Sequence, residues 1–182
     1  VLTDFLKSGT YNKNRDFYCT ASPSMDILIS SNLERLLFIL SGYDAEKTAE
    51  YMRELSVDGK YSVDSDLYKK ISELFDAGYC DDNATKATIN EIFKKYDYLC
   101  DTHTAVAVNV YEEYTKRTGD DTPTVIASTA NPYKFSASVL SAITDDIKSE
   151  DEFSMVEELF EKSKEPVPPQ LSTLKGKAPR FT

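Results

Sequence analysis

Amphipathic segments of helical length recur along this chain, and they constrain its fold more than any other feature of the sequence. Apolar residues recur at intervals of three and four within these segments, and cap-forming residues or glycines bound them. The predicted helices are Val1–Leu6, Ser31–Leu40, Asp44–Leu55, Ser65–Ala77, Asn83–Tyr96, Lys134–Ile143 and Ser149–Phe160. The pattern predicts a mainly α fold with one or two short strands.

Two Ser-x-x-Glu sequences, Ser31–Glu34 and Ser149–Glu152, stand directly before apolar helical patterns. This spacing is that of the capping box, in which the serine and the glutamate satisfy backbone N–H groups of the first turn. We therefore expect both serines to cap their helices. Further helix caps are expected at Asp44 and at Asp101 or Thr102.

Two runs favour strands, Asp16–Thr20 as an edge strand and Thr124–Ala127 as a buried one. The second run ends at two hydroxyls, Ser128 and Thr129, before a proline turn and a predicted helix. Open α/β sheets present groups to ligands at the carboxyl ends of strands, so we expect a ligand contact here. The segment Ala105–Tyr111 fits either a strand, because its valines alternate, or a buried helix.

The charge and length of the chain exclude several classes of function. Its 182 residues carry a formal net charge of −10, and the length favours a single domain. Nucleic acids and anionic membranes attract clustered Lys and Arg, so we expect neither as a partner. No apolar run reaches the roughly 18 residues of a spanning helix, and no signal peptide is found. Three cysteines without CxxC spacing predict a reducing cytoplasm.

Complete active-site motifs are missing from the sequence. Its six glycines are scattered, so no Gly-rich phosphate loop occurs, and there is no GxSxG nucleophile elbow. His103 is the only histidine, which excludes a multi-histidine metal site. Near the start of a predicted helix, Asn32 and Arg35 fit either surface residues of a capped helix or an anion site at its N-terminus. Local chemistry therefore predicts neither a catalytic residue nor a metal site.

Four stretches, in the same order as in that family, resemble threonine synthase. They are Ser22–Arg35 with its Ser31-Asn32-Leu33-Glu34-Arg35 sequence, Asp101–Ala107, Ser128–Phe135 and Leu174–Thr182. The resemblance covers only the carboxyl-terminal part of the family. It implies part of an α/β fold type II pyridoxal-phosphate (PLP) enzyme that converts O-phospho-L-homoserine and water to L-threonine and phosphate.

The resemblance also implies roles for individual residues. It places a hydroxyl at the Thr129 position against the pyridine nitrogen of PLP, with Ser128 and Asn131 as neighbours that shape the wall beside the ring. Asn32 and Arg35 become weaker candidates for contacts with the substrate. The Schiff-base lysine and the phosphate loop of the family match nothing in this chain, and Lys134 is not a candidate for that lysine.

The resemblance implies an organisation for the chain as a single carboxyl-terminal fragment, residues 1–182. We expect a family-specific helical section over 24–98, and a helix–strand–helix over 101–163 that returns to the cofactor domain and settles Ala105–Tyr111 as a helix. The tail over 164–182 is expected to be extended and rich in proline and lysine. It either packs across its own domain, as its basic charge favours, or stays mobile.

The chain begins with Val1 rather than Met, which the resemblance explains if an amino-terminal part of the enzyme precedes it. We expect the fragment alone to be inactive and not to bind PLP, and its unpaired strand to permit self-association. Two alternatives remain at this stage. One is a non-catalytic helical interaction or regulatory module, and the other is a fragment of another fold type II lyase such as a dehydratase.

Overall fold

A computed structural model describes residues 1–178 of the chain. The contacts divide the chain into two compact units, Val1–Tyr79 and Cys80–Thr182. Most described residues lie in helices, and a single pair of short strands is found among them. The predicted fold class, mainly α with one or two short strands, is confirmed. The predicted sections 24–98, 101–163 and 164–182 remain predictions.

The first unit contains four helices and a two-stranded sheet. In chain order these are α1 (Leu2–Ser8), β1 (Thr10–Asn12), α2 (Ser31–Leu40), α3 (Ala45–Val57), β2 (Lys60–Ser62) and α4 (Ser65–Leu74). The helix α1 ends at Gly9, whose φ of 73° is the left-handed conformation that glycine adopts without steric cost. The helix α4 ends at Leu74, three residues earlier than predicted. Leu74 and Phe75 are exposed, so a longer helix would bury nothing further.

The two strands pair in antiparallel register, with Tyr11 opposite Tyr61. Their rings stack with centroids 5.4 Å apart, and Tyr61 also stacks on Tyr51 at 5.3 Å. These rings lie in the buried core of the first unit, together with Phe5. The predicted edge strand Asp16–Thr20 is wrong, because this run is irregular and mostly exposed. Short strands such as β1 and β2 carry too few residues to show a period of two, so the sequence analysis missed them.

The second unit contains five described helices: α5 (Asp82–Tyr96), α6 (Thr102–Thr118), α7 (Ser136–Ile143), α8 (Glu152–Ser163) and α9 (Pro169–Ser172). A 3₁₀ turn, Pro132–Phe135, leads directly into α7. The core of this unit includes Ile89 of α5, Ala105 of α6, Leu140 of α7 and Leu159 of α8. The segment Ala105–Tyr111 is helical, as the resemblance to the family implied.

The predicted strand Thr124–Ala127 is wrong, because no described residue pairs with it. The run is irregular, and the Val125 side chain is 93% exposed. A strand forms only where a neighbouring strand satisfies its backbone N–H and C=O groups. The apolar, β-branched composition of this run is therefore not sufficient to make it a strand here.

The aspartate caps are confirmed and the serine capping boxes are wrong. Asp44 accepts the Lys47 backbone N–H at 2.9 Å, and Asp101 caps α6. Ser31 is already the first residue of α2, whose cap position Ser30 makes no side-chain capping bond. The Tyr11 hydroxyl instead accepts a hydrogen bond from the backbone N–H of Ser30 at 2.8 Å. Asp151, not Ser149, caps α8.

The tail is not extended throughout, because α9 interrupts it. Val167 and Leu171 pack against the core of the second unit, and Lys175 forms an ion pair with Glu157. Pro179, Arg180, Phe181 and Thr182, which belong to the basic end and to the closing stretch of the resemblance, lie outside the described residues. Within residues 1–178, no helix is both long and apolar enough to cross a bilayer.

Candidate functional site

The predicted ligand loop, residues 128–131, lies between α6 and the 3₁₀ turn that precedes α7. The Asn131 side chain caps that turn, because its Oδ1 accepts the Tyr133 backbone N–H at 3.0 Å. Tyr133 is buried, and its hydroxyl donates to the Glu165 carbonyl oxygen at 2.5 Å. Asn131 therefore fixes the carboxyl end of the loop through local backbone geometry.

The Ser128 hydroxyl is tied to two positions distant in sequence. Its Oγ lies 3.0 Å from Thr104 Oγ1 in the first turn of α6 and 3.2 Å from the Tyr98 hydroxyl. Thr104 Oγ1 lies in turn 2.5 Å from Asp101 Oδ2. The sequence predicted a helix cap at Asp101 or Thr102, but it predicted no contact between either residue and this loop. Nothing in the sequence signals contacts that span 24 and 30 residues.

Thr129 differs from its neighbour Ser128 in its surroundings. Its side chain is exposed, and its hydroxyl makes no hydrogen bond with any of residues 1–178. A hydroxyl carries one donor proton and two acceptor lone pairs. Thr129 is therefore free to bond to a ligand.

A cleft of about 400 Å³ lies beside Ser128 and Thr104. Its walls come from α5, α6 and the loop, and they combine aromatic, apolar and charged side chains. Those that line it include Glu91, Lys95, Tyr98, Tyr111, Glu112 and Ile126. A partly apolar cleft with several polar groups is the usual form of a small-molecule site.

Asn32 and Arg35 lie in the first turns of α2, in the first unit. Both are exposed, and the Arg35 guanidinium donates to Asn32 Oδ1. Asn32 Oδ1 accepts a hydrogen bond from one guanidinium nitrogen of Arg35. The other N–H groups of that guanidinium are available to bind an anion. The loop residues 128–131 belong to the second unit.

A histidine, a lysine and a cysteine of this unit belong to residue types that often react in enzymes, and the structure shows what surrounds each. The His103 ring packs edge-on against Phe135, with centroids 4.9 Å apart. Lys134 is exposed, and its Nζ lies 5.8 Å from the centroid of the Phe135 ring. Cys100 is buried, and this burial raises the pKa of its thiol to about 11, which disfavours the reactive thiolate. No group of three His, Cys, Asp or Glu residues suited to a metal ion occurs in the described part of the chain.

Comparisons with known proteins agree on one family. Residues 104–182 match the family model described as "Threonine synthase, C-terminal". Human threonine synthase-like 1 is 35% identical over 144 residues, which is 79% of this chain and 19% of that protein. Threonine synthase of Pseudomonas aeruginosa is 36% identical over 142 residues, which is 78% of this chain and 30% of that protein.

Two solved structures resemble this chain closely. The crystal structure of threonine synthase from yeast has a TM-score of 0.77 and 31% identity, covering 95% of this chain and 35% of that one. That of PLP-bound threonine synthase from Brucella melitensis has a TM-score of 0.72 and 34% identity, covering 86% of this chain and 33% of that one. The chain thus spans about a third or less of the relatives it matches. It belongs to the threonine synthase family, and its residues 104–182 correspond to the carboxyl-terminal part of that family.

Proposed function

We propose that this chain is the carboxyl-terminal part of a threonine synthase, which uses PLP to convert O-phospho-L-homoserine and water to L-threonine and phosphate. The observation that carries the proposal is the likeness to the yeast enzyme, which extends over 95% of the chain with a TM-score of 0.77. A helical interaction module of unrelated origin would not account for this agreement in both sequence and fold. The names of the relatives favour threonine synthase over a dehydratase.

The hydroxyl chemistry of the loop fits a contact with PLP. The exposed Thr129 hydroxyl has no partner among residues 1–178, and it can share a hydrogen bond with a pyridine nitrogen. When bound, PLP supplies an electron sink, and the protein tunes that sink through the groups around the ring. A hydroxyl partner moderates it, because a hydroxyl does not hold the ring nitrogen protonated as a carboxylate would. Thr129 is therefore the proposed cofactor contact.

The other predicted site residues receive supporting roles. Asn131 caps the turn behind the loop, and Ser128 lies at the rim of the cleft, so both would shape the wall beside the ring. Arg35 is a proposed contact for the phosphate of the substrate, since guanidinium groups bind phosphate in a fixed geometry. Asn32 would orient that guanidinium through the hydrogen bond it accepts.

The covalent link to the cofactor would be made by another part of the enzyme. We propose that the Schiff-base lysine and the phosphate loop lie in an amino-terminal part, which is then the principal partner of this chain. The chain alone is then expected to be inactive. The cytoplasm is the proposed location, from the free cysteines and the biosynthetic role.

Substitution of Thr129 in the full-length enzyme tests the proposed contact. We expect Thr129→Ala to lower kcat about tenfold or more and to shift the absorbance of bound PLP, because one hydrogen bond to the ring is lost. Thr129→Ser is the matched control, which keeps the hydroxyl and should retain both properties. Unchanged turnover and absorbance in Thr129→Ala, with phosphate release as the assay, would refute the role.

A further inference from the structure

We propose that Asp101, Thr104 and Ser128 form a positioning relay, in which a buried carboxylate orders two hydroxyls and thereby holds the loop that presents Thr129. The relay itself rests on the hydrogen bonds of this chain. Only its consequence for a cofactor rests on the function proposed above.

The relay begins at Asp101, whose side chain is 1% exposed. Its Oδ1 accepts the backbone N–H groups of His103 at 2.8 Å and Thr104 at 3.2 Å, and its Oδ2 accepts the Thr104 hydroxyl at 2.5 Å. An ionised carboxylate accepts hydrogen bonds and cannot donate them. The Thr104 hydroxyl is therefore the donor in its contact with Asp101.

The Thr104 hydroxyl also reaches the loop. The geometry of its 3.0 Å contact with Ser128 has Thr104 Oγ1 as the donor and Ser128 Oγ as the acceptor, so its one proton is shared between the carboxylate and the loop. Ser128 Oγ also lies 3.2 Å from the Tyr98 hydroxyl, a contact in which either oxygen can donate. Thr104 therefore links the buried carboxylate to Ser128, and Tyr98 holds Ser128 at a second point.

Few other hydrogen bonds hold this loop in place. Between residues 125 and 130, the hydrogen bonds that the structure describes are those of the Ser128 side chain. This run lacks the ladder that would fix a strand, and Val125 next to it is exposed. The position of the Thr129 backbone therefore depends on the neighbouring serine.

The hydrogen bonds separate the roles of two adjacent hydroxyls. Ser128 is bonded to Thr104 and Tyr98, so it is the anchor of the loop. Thr129, which has no partner among residues 1–178, keeps its proton for a ligand. Asp101, Thr104 and Ser128 are positioning residues that act through Thr129.

The backbone ¹⁵N order parameters of residues 126–130 in this chain test the relay. We expect Thr104→Val, which keeps the shape of the side chain and removes its hydroxyl, to lower them below about 0.6, the range of flexible backbone. Thr104→Ser restores the hydroxyl and should keep the values of the parent chain. Order parameters in α5 and α7 report whether the fold is intact.

Ser128→Ala removes the partner of Thr104 on the loop. This variant replaces Thr104→Val as the test if Thr104→Val fails to fold. It should lower the order parameters at least as far, because it also removes the contact with Tyr98, and adding Thr104→Val to it should change little. Unchanged order parameters in both single variants, or equal effects of Thr104→Val and Thr104→Ser, would overturn the relay.

A second measurement separates the relay from the proposed function. In the PLP-bound full-length enzyme, Ser128→Ala should weaken PLP binding without shifting the absorbance maximum, whereas Thr129→Ala shifts it. If neither variant affects PLP while the order-parameter results hold, the proposed function fails and the relay stands. If Ser128→Ala shifts the absorbance as Thr129→Ala does, the assignment of Ser128 as an anchor is wrong.

Discussion

Tyr11 and Tyr61 stack on one another in the core of the first unit, and both are nearly fully buried. Burial raises the pKa of both phenols. Their hydroxyls nevertheless differ in surroundings. The Tyr11 hydroxyl donates to the Leu28 carbonyl oxygen at 3.0 Å and accepts the Ser30 N–H at 2.8 Å, which fixes the chain just before α2. No hydrogen bond of the Tyr61 hydroxyl is found within residues 1–178.

These two tyrosines form a matched pair for mutation. We expect Tyr11→Phe to lower the free energy of unfolding by about 1–2 kcal/mol, because the backbone N–H of Ser30 loses its partner. Tyr61→Phe keeps the ring stacking and should change the free energy by less than about 0.5 kcal/mol. Denaturant unfolding of both variants measures the difference, and equal effects would contradict the anchoring role of Tyr11.

At the scale of elements, one side chain of α8 binds the connection between α7 and α8. The carboxylate of Glu158 in α8 is almost buried, with a relative exposure of 8%. It accepts the Ser149 hydroxyl at 2.6 Å and the backbone N–H groups of Ser149 and Lys148 at 3.0 and 3.1 Å. The Ser149 hydroxyl, and then these backbone groups, lower the pKa of the Glu158 carboxyl. The connection from α7 to α8 is thus bound to the middle of α8.

The lowered pKa of Glu158 predicts how this connection responds to acid. The ionised form is favoured in the folded state, so its stabilising effect is fully present above the ordinary glutamate pKa of about 4.3. It is lost as the pH falls through the lower pKa of the folded state. The protection factors of residues 146–150, which correct for the intrinsic pH dependence of amide exchange, should therefore fall on acidification below pH ~4.

Glu158→Gln is the matched control for this pH effect. The amide is isosteric but does not titrate, so the variant should show lower protection factors at neutral pH and little further change with acid. A fall in protection with acid that persists unchanged in Glu158→Gln would assign the effect to another group.

At the scale of the whole molecule, each of the two units has its own buried core. Phe5 and three tyrosines pack with leucine and isoleucine side chains in the core of the first unit, whereas Tyr133 is the one aromatic residue among the buried core residues described in the second. The irregular segment between α4 and α5 contains the boundary of the units, and Tyr79 within it is 78% exposed. A second exposed tyrosine, Tyr18, lies in the irregular segment after β1.

Limited proteolysis tests this organisation. We expect chymotrypsin to cut first after Tyr18 and Tyr79, because cleavage requires exposed chain without regular backbone hydrogen bonds. Tyr43 is also exposed, but the Phe38 carbonyl oxygen holds its backbone N–H at 2.8 Å, so it should resist. Mass spectrometry identifies the products, and Tyr79→Ser should remove only the second cut. First cuts within α5–α8 would contradict the prediction.

Local signals in the sequence were sufficient for most helices and for part of the candidate site. The aspartate caps at Asp44 and Asp101 act on backbone groups two or three residues away, so their sequence spacing predicts them. The Ser-x-x-Glu spacing failed because hydrogen bonds outside the spacing decide where each helix begins. Ser149 bonds Glu158, and Tyr11 holds the chain before Ser31. The run Thr124–Ala127 has strand composition but lacks a strand to pair with.

The sequence by itself determined the helical class, most helix positions and the family, because periodicity, local caps and ordered motifs are carried by residues near one another in the chain. Only the tertiary structure decided that β1 pairs with β2, across about 50 residues. It also distinguished the two adjacent hydroxyls of the loop. Ser128 is bonded to Thr104 and Tyr98, while Thr129 has no such partner. Hydrogen bonds between residues distant in sequence leave no local pattern, so these partners were decided only when the fold brought the groups together.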